Sequence, residues 1–192
     1  KHDEWVLSHI GVWVSNYGAF GVFGASVIEE VISIIPSALV QLGGGFFILG
    51  GMTVSVGAIW KLVCIVALPA AIGVTVGSFV FYVIGYWGGE GFLHRFGKYI
   101  GVYWGDGVAL QERLEKSKWD DVVFFAARAF PLLPSVILAI FAGVVRMSLI
   151  RYSLLTIGGV FIRATILGAI GWQLGSAYES YAGYIDKIET VG

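Results

Sequence analysis

The chain has 192 residues, 57% of them hydrophobic and 13% charged, with a mean hydropathy of +0.83. Soluble domains carry about 25% charged residues, so this composition excludes water as the main solvent and points to an integral membrane protein. The net charge of -1 and the scatter of basic residues in short clusters exclude a nucleic-acid partner, and the single Cys64 excludes an internal disulfide or a cysteine-bound metal cluster.

A helix that crosses the hydrocarbon core needs about 20 mostly apolar residues. Such windows run over 10–28, 31–50, 54–87, 122–145 and 152–175, and a charged stretch, 90–121, divides them into two groups. The sequence opens at Lys1 without a basic stretch and cleavage site, so no signal peptide is expected. The second window, VISIIPSALVQLGGGFFILG, holds Pro36 and the triplet Gly43, Gly44 and Gly45. These residues interrupt an otherwise regular span, which predicts two half-helices forming a re-entrant hairpin over 31–50. The third window, 34 residues long, exceeds one hydrocarbon core, so a kink or a surface-lying portion is expected near Pro69. The fourth, VVFFAARAFPLLPSVILAIFAGVV, repeats the hairpin design, with Pro131, Pro134 and Gly143 breaking an apolar run that also carries Arg128. Trp87, Tyr99, Tyr103, Trp104 and Trp119 flank the charged stretch as an interfacial aromatic belt.

The two groups of windows align with one another. A shift of 98 positions lays Glu30 over Arg128, Pro36 over Pro134, Ser37 over Ser135 and Gly45 over Gly143; a shift of 86 lays Gly73 over Gly159, Gly85 over Gly171 and Tyr86 over Trp172. The recurring order, hairpin then helix, predicts an internal duplication with a site at the repeat interface. One net crossing between the hairpins makes them enter from opposite faces. The predicted fold is an all-α polytopic membrane protein, an inverted repeat with two facing re-entrant helical hairpins and transmembrane helices. A single membrane domain, 1–192, then divides into a first repeat half (10–89, hairpin 31–50), a charged interfacial connector (90–121), a second repeat half (122–176, hairpin 122–145) and a C-terminal tail (177–192). Lys1, Arg95, Lys98, Arg113, Lys116, Lys118, Arg146 and Arg151 fall on one side and Lys61 and Lys187 on or near the other, so the side bearing 90–121 is predicted to be cytoplasmic, in a plasma or prokaryotic inner membrane.

Three stretches carry a family resemblance that covers nearly the whole chain. EEVISIIPSALVQLGGGF, with Glu29 and Pro36, is similar to a hairpin pattern E-x-x-x-x-P-I-P-S-E, although the second acidic position is Ala38 here. RAFPLLPSVILAIFAGVVRM, with Arg128, Pro131 and Gly143, resembles an arginine motif with an R-x-x-P core, and Pro134 stands where bacterial members often have a second arginine. GSFVFYVIGYWGGEGF resembles a G-x-x-x-Y-x-x-G-Y-x-x-G stretch. In this order the three resemble the DedA family, whose shared domain is also called the SNARE-associated or VTT domain. The resemblance implies facing re-entrant hairpins and lipid transport, notably of polyprenyl phosphate carriers or phospholipids.

A charge at the bilayer centre costs roughly 2.5–3.5 kcal/mol even on a lenient scale, so Glu29, Glu30, Arg128 and Arg163 are expected to face the protein interior or a wet cavity. Arg163 lies 11 residues after Tyr152, about 16 Å along a helix axis, too deep to snorkel easily to either surface. Two readings stay open. In one, Arg128 and Arg163 bind an anionic headgroup bidentately while Glu29 or Glu30 balances charge or carries a proton. In the other, Glu30 and Arg128 neutralise one another across the interface and hold the hairpins together. Pro36 with Ser37, and Pro131, Pro134 and Ser135, mark the hairpin tips, where proline suits a first helical position and free amides attract anions; a plain turn is the simpler reading. The glycines permit close helix packing. His2, His9 and His94 lack metal-ligand spacing and no nucleophile has an adjacent base, so no metal, cofactor or enzymatic activity is expected.

The function read from these residues and the resemblance together is a flippase or scramblase that moves a phosphate-bearing lipid between leaflets, with proton coupling through Glu29 or Glu30. A proton-coupled antiporter of ions or small solutes and a non-transporting membrane scaffold are the alternatives. The expected partners are membrane lipids, a lipid phosphate headgroup, protons and a second copy of the chain, since inverted-repeat transporters commonly form homodimers.

Overall fold

The computed structural model describes the backbone of residues 17–32, 38–100, 118–131 and 134–191, and side-chain surroundings within 17–32, 38–88, 121–131 and 134–178. Every regular element among them is helical: α1 (Ala19–Ile32), α2 (Leu39–Leu49), α3 (Val56–Lys61), a π-helical segment (Leu62–Ala67), α4 (Leu68–Ile100), α5 (Lys118–Ala129), α6 (Ser135–Val144) and α7 (Leu149–Val191).

The breaks follow the prolines more closely than the glycines. A proline disfavours helix in the residue before it, and α5 and α6 are separated at Pro131 and Pro134, while α1 ends at Ile32 and α2 begins at Leu39. Gly43, Gly44 and Gly45 do not interrupt their run as expected; they lie within α2, and Gly143 lies within α6. The reason is packing. A Cβ at Gly45 would collide with the carbonyl oxygen of Gly168 on α7, and one at Gly143 with the Tyr82 carbonyl on α4. The helix that carries Glu29 and Glu30 runs from Ala19 to Ile32 and so joins the end of the 10–28 window to the start of the 31–50 window.

The third window is one continuous helical stretch from Val56. Ser55 caps it, its hydroxyl accepting from the Ala58 N–H at 3.2 Å. The distortion expected near Pro69 takes the form of the π-helical segment just before it, where the Leu68 N–H donates to the Val63 carbonyl. Pro69 has no N–H and its ring crowds the carbonyl four residues back, and the wider winding relieves that. Among the described residues two helical stretches are long and apolar enough to cross a membrane, Val56–Gly88 with 33 residues and Leu149–Tyr178 with 30. The expected tail 177–192 begins as a continuation of α7.

Each long helix receives two short ones. α1 and α6 pack on α4, while α2 and α5 pack on α7, so α1 and α2 sit on different long helices, as do α5 and α6. The contacts are lined with small residues, with Val22, Ala25, Val40, Ala67, Ala70 and Ala164 in one cluster. Lipid tails are as apolar as a leucine side chain, so helices associate in a bilayer through close van der Waals contact, and small side chains allow it. On α7, Ile162, Ile166, Ile170 and Leu174 form an exposed apolar stripe while Arg163 is buried, the reverse of a soluble amphipathic helix.

Candidate functional site

The four intramembrane charges expected from the sequence are buried and brought together: Glu29, Glu30 and Arg163 are each 2% exposed and Arg128 1%. Successive residues on an α-helix diverge by about 100°, and the two adjacent carboxylates of α1 use that divergence. Glu29 Oε1 accepts from the Val40 N–H in the first turn of α2 at 3.3 Å. Glu30 Oε2 accepts from the Ser135 hydroxyl, at the first residue of α6, at 2.7 Å. The end of α1 therefore supplies a carboxyl oxygen to the start of both α2 and α6.

Ser135 is thus part of the site. Pro134 occupies the position before the first helical residue rather than the first itself, and both Pro131 and Pro134 are exposed. Pro36 and Ser37 lie outside the described residues.

Arg128 has no direct salt bridge to either glutamate; among the described residues the ion pair is Arg151 with Asp121 at 2.6 Å, away from this cluster. Its Nη2 instead donates to the Tyr152 hydroxyl at 2.8 Å, which donates to Ser78 Oγ at 2.7 Å, which donates to the Thr75 carbonyl at 2.9 Å. The guanidinium carbon lies 5.6 Å from the Phe124 ring centroid and 5.4 Å from that of Tyr152, within range of a cation–π attraction. Coupling to the carboxylates is through the field: Glu30 interacts with both arginines and Glu29 with Arg163.

What distinguishes the cluster is its unused hydrogen-bonding capacity. Arg128 Nε and Nη1, Arg163 Nε and Nη2, Glu29 Oε2, Glu30 Oε1 and both ends of the Gln41 amide are buried without a hydrogen-bond partner in the protein. A buried charge is normally paired and hydrogen-bonded, because the alternative costs several kcal/mol. Four unpaired guanidinium nitrogens offer donors that can accept a planar or tetrahedral oxyanion.

Gln41, Ser78 and Tyr152 were not singled out from the sequence, although a signal existed. Thr75, Ser78 and Tyr82 recur at i, i+3 and i+7 on α4, and Tyr152, Gly159 and Arg163 at i, i+7 and i+11 on α7, each set following one helix face. Among the described residues no group of three or more His, Cys, Asp or Glu is placed to hold a metal.

The family model of the VTT domain matches residues 35–173. The chain belongs to the VTT-domain, or DedA, family. This VTT-domain protein is 30% identical to undecaprenyl phosphate transporter A of Bacillus subtilis over 179 residues, covering 91% of this chain and 80% of that one. It is 28% identical over 190 residues to the uncharacterized membrane protein YkoX of the same organism, with 96% and 76% covered. It is also 28% identical over 184 residues to an alkaline phosphatase-like protein of Lactococcus lactis, with 93% and 80% covered. No solved structure matches the chain. The matched region of the VTT domain contains α2, α4, α5 and α6 and most of the apolar part of α7.

Proposed function

We propose that this VTT-domain protein moves a phosphate-bearing lipid, a polyprenyl phosphate or a phospholipid, from one leaflet to the other, with the headgroup passing the buried cluster and the tails remaining in the bilayer. The observation that carries this reading is the set of four guanidinium nitrogens on Arg128 and Arg163 that are buried yet unpaired. Guanidinium stays charged when dehydrated and its fork matches phosphate oxygens two at a time. A relative whose name specifies undecaprenyl phosphate transport supports the substrate class.

The architecture we propose is an inverted repeat whose two broken helix pairs re-enter from opposite faces, with the connector 90–121 on the cytoplasmic side. Its support is a regular offset in the glycine contacts. Leu42 and Gly45 on α2 meet Gly171 and Gly168 on α7, while Ile140 and Gly143 on α6 meet Gly85 and Tyr82 on α4. These pairs are related by 98 positions on the short arms and 86 on the long helices. At the other arms, Val27 and Glu30 meet Gly77, while Phe125 and Arg128 meet Gly159, an offset of 98 against 82. The difference from 86 is about one helical turn. Glu29 and Glu30, each with one unpaired oxygen, would carry a proton if transport is driven by a gradient.

Reconstituted vesicles with a labelled lipid phosphate test the reading. Arg128→Lys and Arg163→Lys keep the charge and lose the fork, and each is expected to slow transport about tenfold or more while the protein stays inserted and folded. Glu29→Gln and Glu30→Gln are expected to reduce sensitivity to a proton gradient. Normal transport by Arg128→Lys, together with transport lost at every pH in both Gln variants, would remove headgroup recognition by Arg128 as the mechanism.

A further inference from the structure

A second feature lies where α6 turns into α7. The Arg146 N–H donates to the Gly143 carbonyl and the Met147 N–H to the Ala142 carbonyl, each at 3.0 Å, the paired bonds of a Schellman helix end. That motif places its outer residue in the left-handed region, where glycine is the usual choice because a Cβ is disfavoured. Here the position is Arg146, at φ +51°, and among the described residues it is the non-glycine with positive φ. A strained backbone kept at an arginine points to a use for the side chain.

The guanidinium of Arg146 lies 5.5 Å from the centroid of the Tyr86 ring. Beside it is a cavity of about 430 Å³, lined by Val83, Tyr86, Trp87, Arg146, Ser148 and Leu149 among others. Its two walls are pinned, since the Tyr82 hydroxyl on α4 donates to the Met147 carbonyl in the turn, and Tyr82 stacks on Tyr86 with centroids 6.1 Å apart. The lining is divided by chemistry. Val83, Trp87 and Leu149 are exposed and, on α4, continue the apolar surface of Val76 and Val80, while Arg146 and Ser148 form the polar side. Among the described residues no acidic side chain lines the cavity and none pairs with Arg146.

We propose that this cavity docks the headgroup of a phosphate-bearing lipid at the membrane surface, with Arg146 taking the phosphate and Val83 and Leu149 the first carbons of the chains. The charge of Arg146 selects against a cationic or neutral headgroup, and the exposed apolar edge selects an occupant with a hydrocarbon tail over a soluble anion. The site adjoins the central cluster, since the Tyr82 ring in its wall lies 4.8 Å from that of Tyr152, but it uses a different arginine and would hold the lipid whether or not the lipid is carried across.

Phosphatidic acid bearing a photoreactive group near its glycerol is the probe, with cross-linked peptides mapped by mass spectrometry on the full chain in lipid nanodiscs. Adducts are expected on the peptides that contain Tyr86 and Leu149, falling about tenfold or more in Arg146→Gly, the size of a lost charge-assisted contact. Glycine suits the backbone there, so Arg146→Gly is expected to melt no lower than the wild type. Arg146→Asn, which tolerates the same backbone without a charge, provides an independent second variant. Labelling that is undiminished in a folded variant overturns the proposal, as does equal labelling of the wild type by the corresponding uncharged diacylglycerol probe. Loss of the adducts in the presence of equimolar inorganic phosphate assigns the site to the free anion and overturns the lipid assignment.

Discussion

Arg128 shows how one residue is held ready in an apolar interior. Its Nη2 is committed to Tyr152, whose hydroxyl must accept from the arginine and therefore donates onward to Ser78, so the direction of every bond in the chain is set. Tyr152→Phe removes the acceptor and leaves a third guanidinium nitrogen unpaired. The expected result is a loss of about 1–2 kcal/mol in thermal stability in detergent and a fall in lipid-phosphate transport. Ser78→Ala, which removes only the far end of the chain, is expected to have the smaller effect on both, and the reverse order would show that the chain does not position Arg128. The glutamates obey a different rule. Glu29→Gln keeps a carbonyl oxygen to accept from the Val40 N–H and should cost little, whereas Glu29→Ala removes the acceptor at the start of α2 and should cost about 1 kcal/mol, a difference that thermal denaturation of the two variants resolves.

At the scale of elements, the short helices are positioned by backbone proximity rather than by large side chains. Gly45 on α2 and Gly143 on α6 each meet the backbone of a long helix, where no flexible side chain can move aside. Gly45→Ala is therefore expected to destabilise by about 1–3 kcal/mol or more, as overpacking does. Gly24 on α1 is the internal control, because nothing lies within 4 Å of a Cβ built there. Gly24→Ala should be neutral or stabilising by up to about 1 kcal/mol, the intrinsic helix preference for alanine. Melting temperatures of the two proteins in one detergent decide the matter, and equal shifts would mean that the α2–α7 contact is looser than described. The same logic explains why the glycine triplet was misread as a break. In a helix exposed to water three glycines are costly, but within α2 Gly45 meets the backbone of α7 and Gly44 the Val66 side chain, close contacts that hold the helix in place.

For the whole molecule, the arrangement of α1 and α6 on α4 and of α2 and α5 on α7 brings four charges from three separate helices, α1, α5 and α7, into one buried cluster. An assembly of this kind is expected to present its long connector and its α3 end to opposite sides of the membrane. With Cys64 first replaced by alanine, a cysteine at Lys116 should react with an impermeant maleimide from the cytoplasmic side and one at Lys61 from the other. Reaction of both from the same side would rule out the single crossing between them on which the inverted repeat depends. The buried charges were legible in advance because each stood in an apolar run where the cost of a lipid-facing charge forbids any other orientation. The expected contact between Glu30 and Arg128 was legible only as a sum of charges. Which atoms pair depends on how α4 and α7 cross, and that crossing brings Tyr152 and Ser78 to Arg128 while Glu30 turns to Ser135.

The sequence by itself determined that the chain is a helical membrane protein, where its helices break near Pro131 and Pro134, and which four ionisable residues are kept from lipid. Each of these follows from a local rule: hydrocarbon tolerates neither unpaired backbone nor exposed charge, and proline cannot continue a regular helix. Only the tertiary structure decided that α1 sends neighbouring carboxylates to the starts of two different helices, that Gly45 makes a helix contact rather than a break, and that Arg128 rests on a tyrosine instead of a carboxylate. Those outcomes depend on the relative positions of helices far apart in sequence. A hydrogen bond is lost over a fraction of an ångström, a precision that spacing along one chain does not encode.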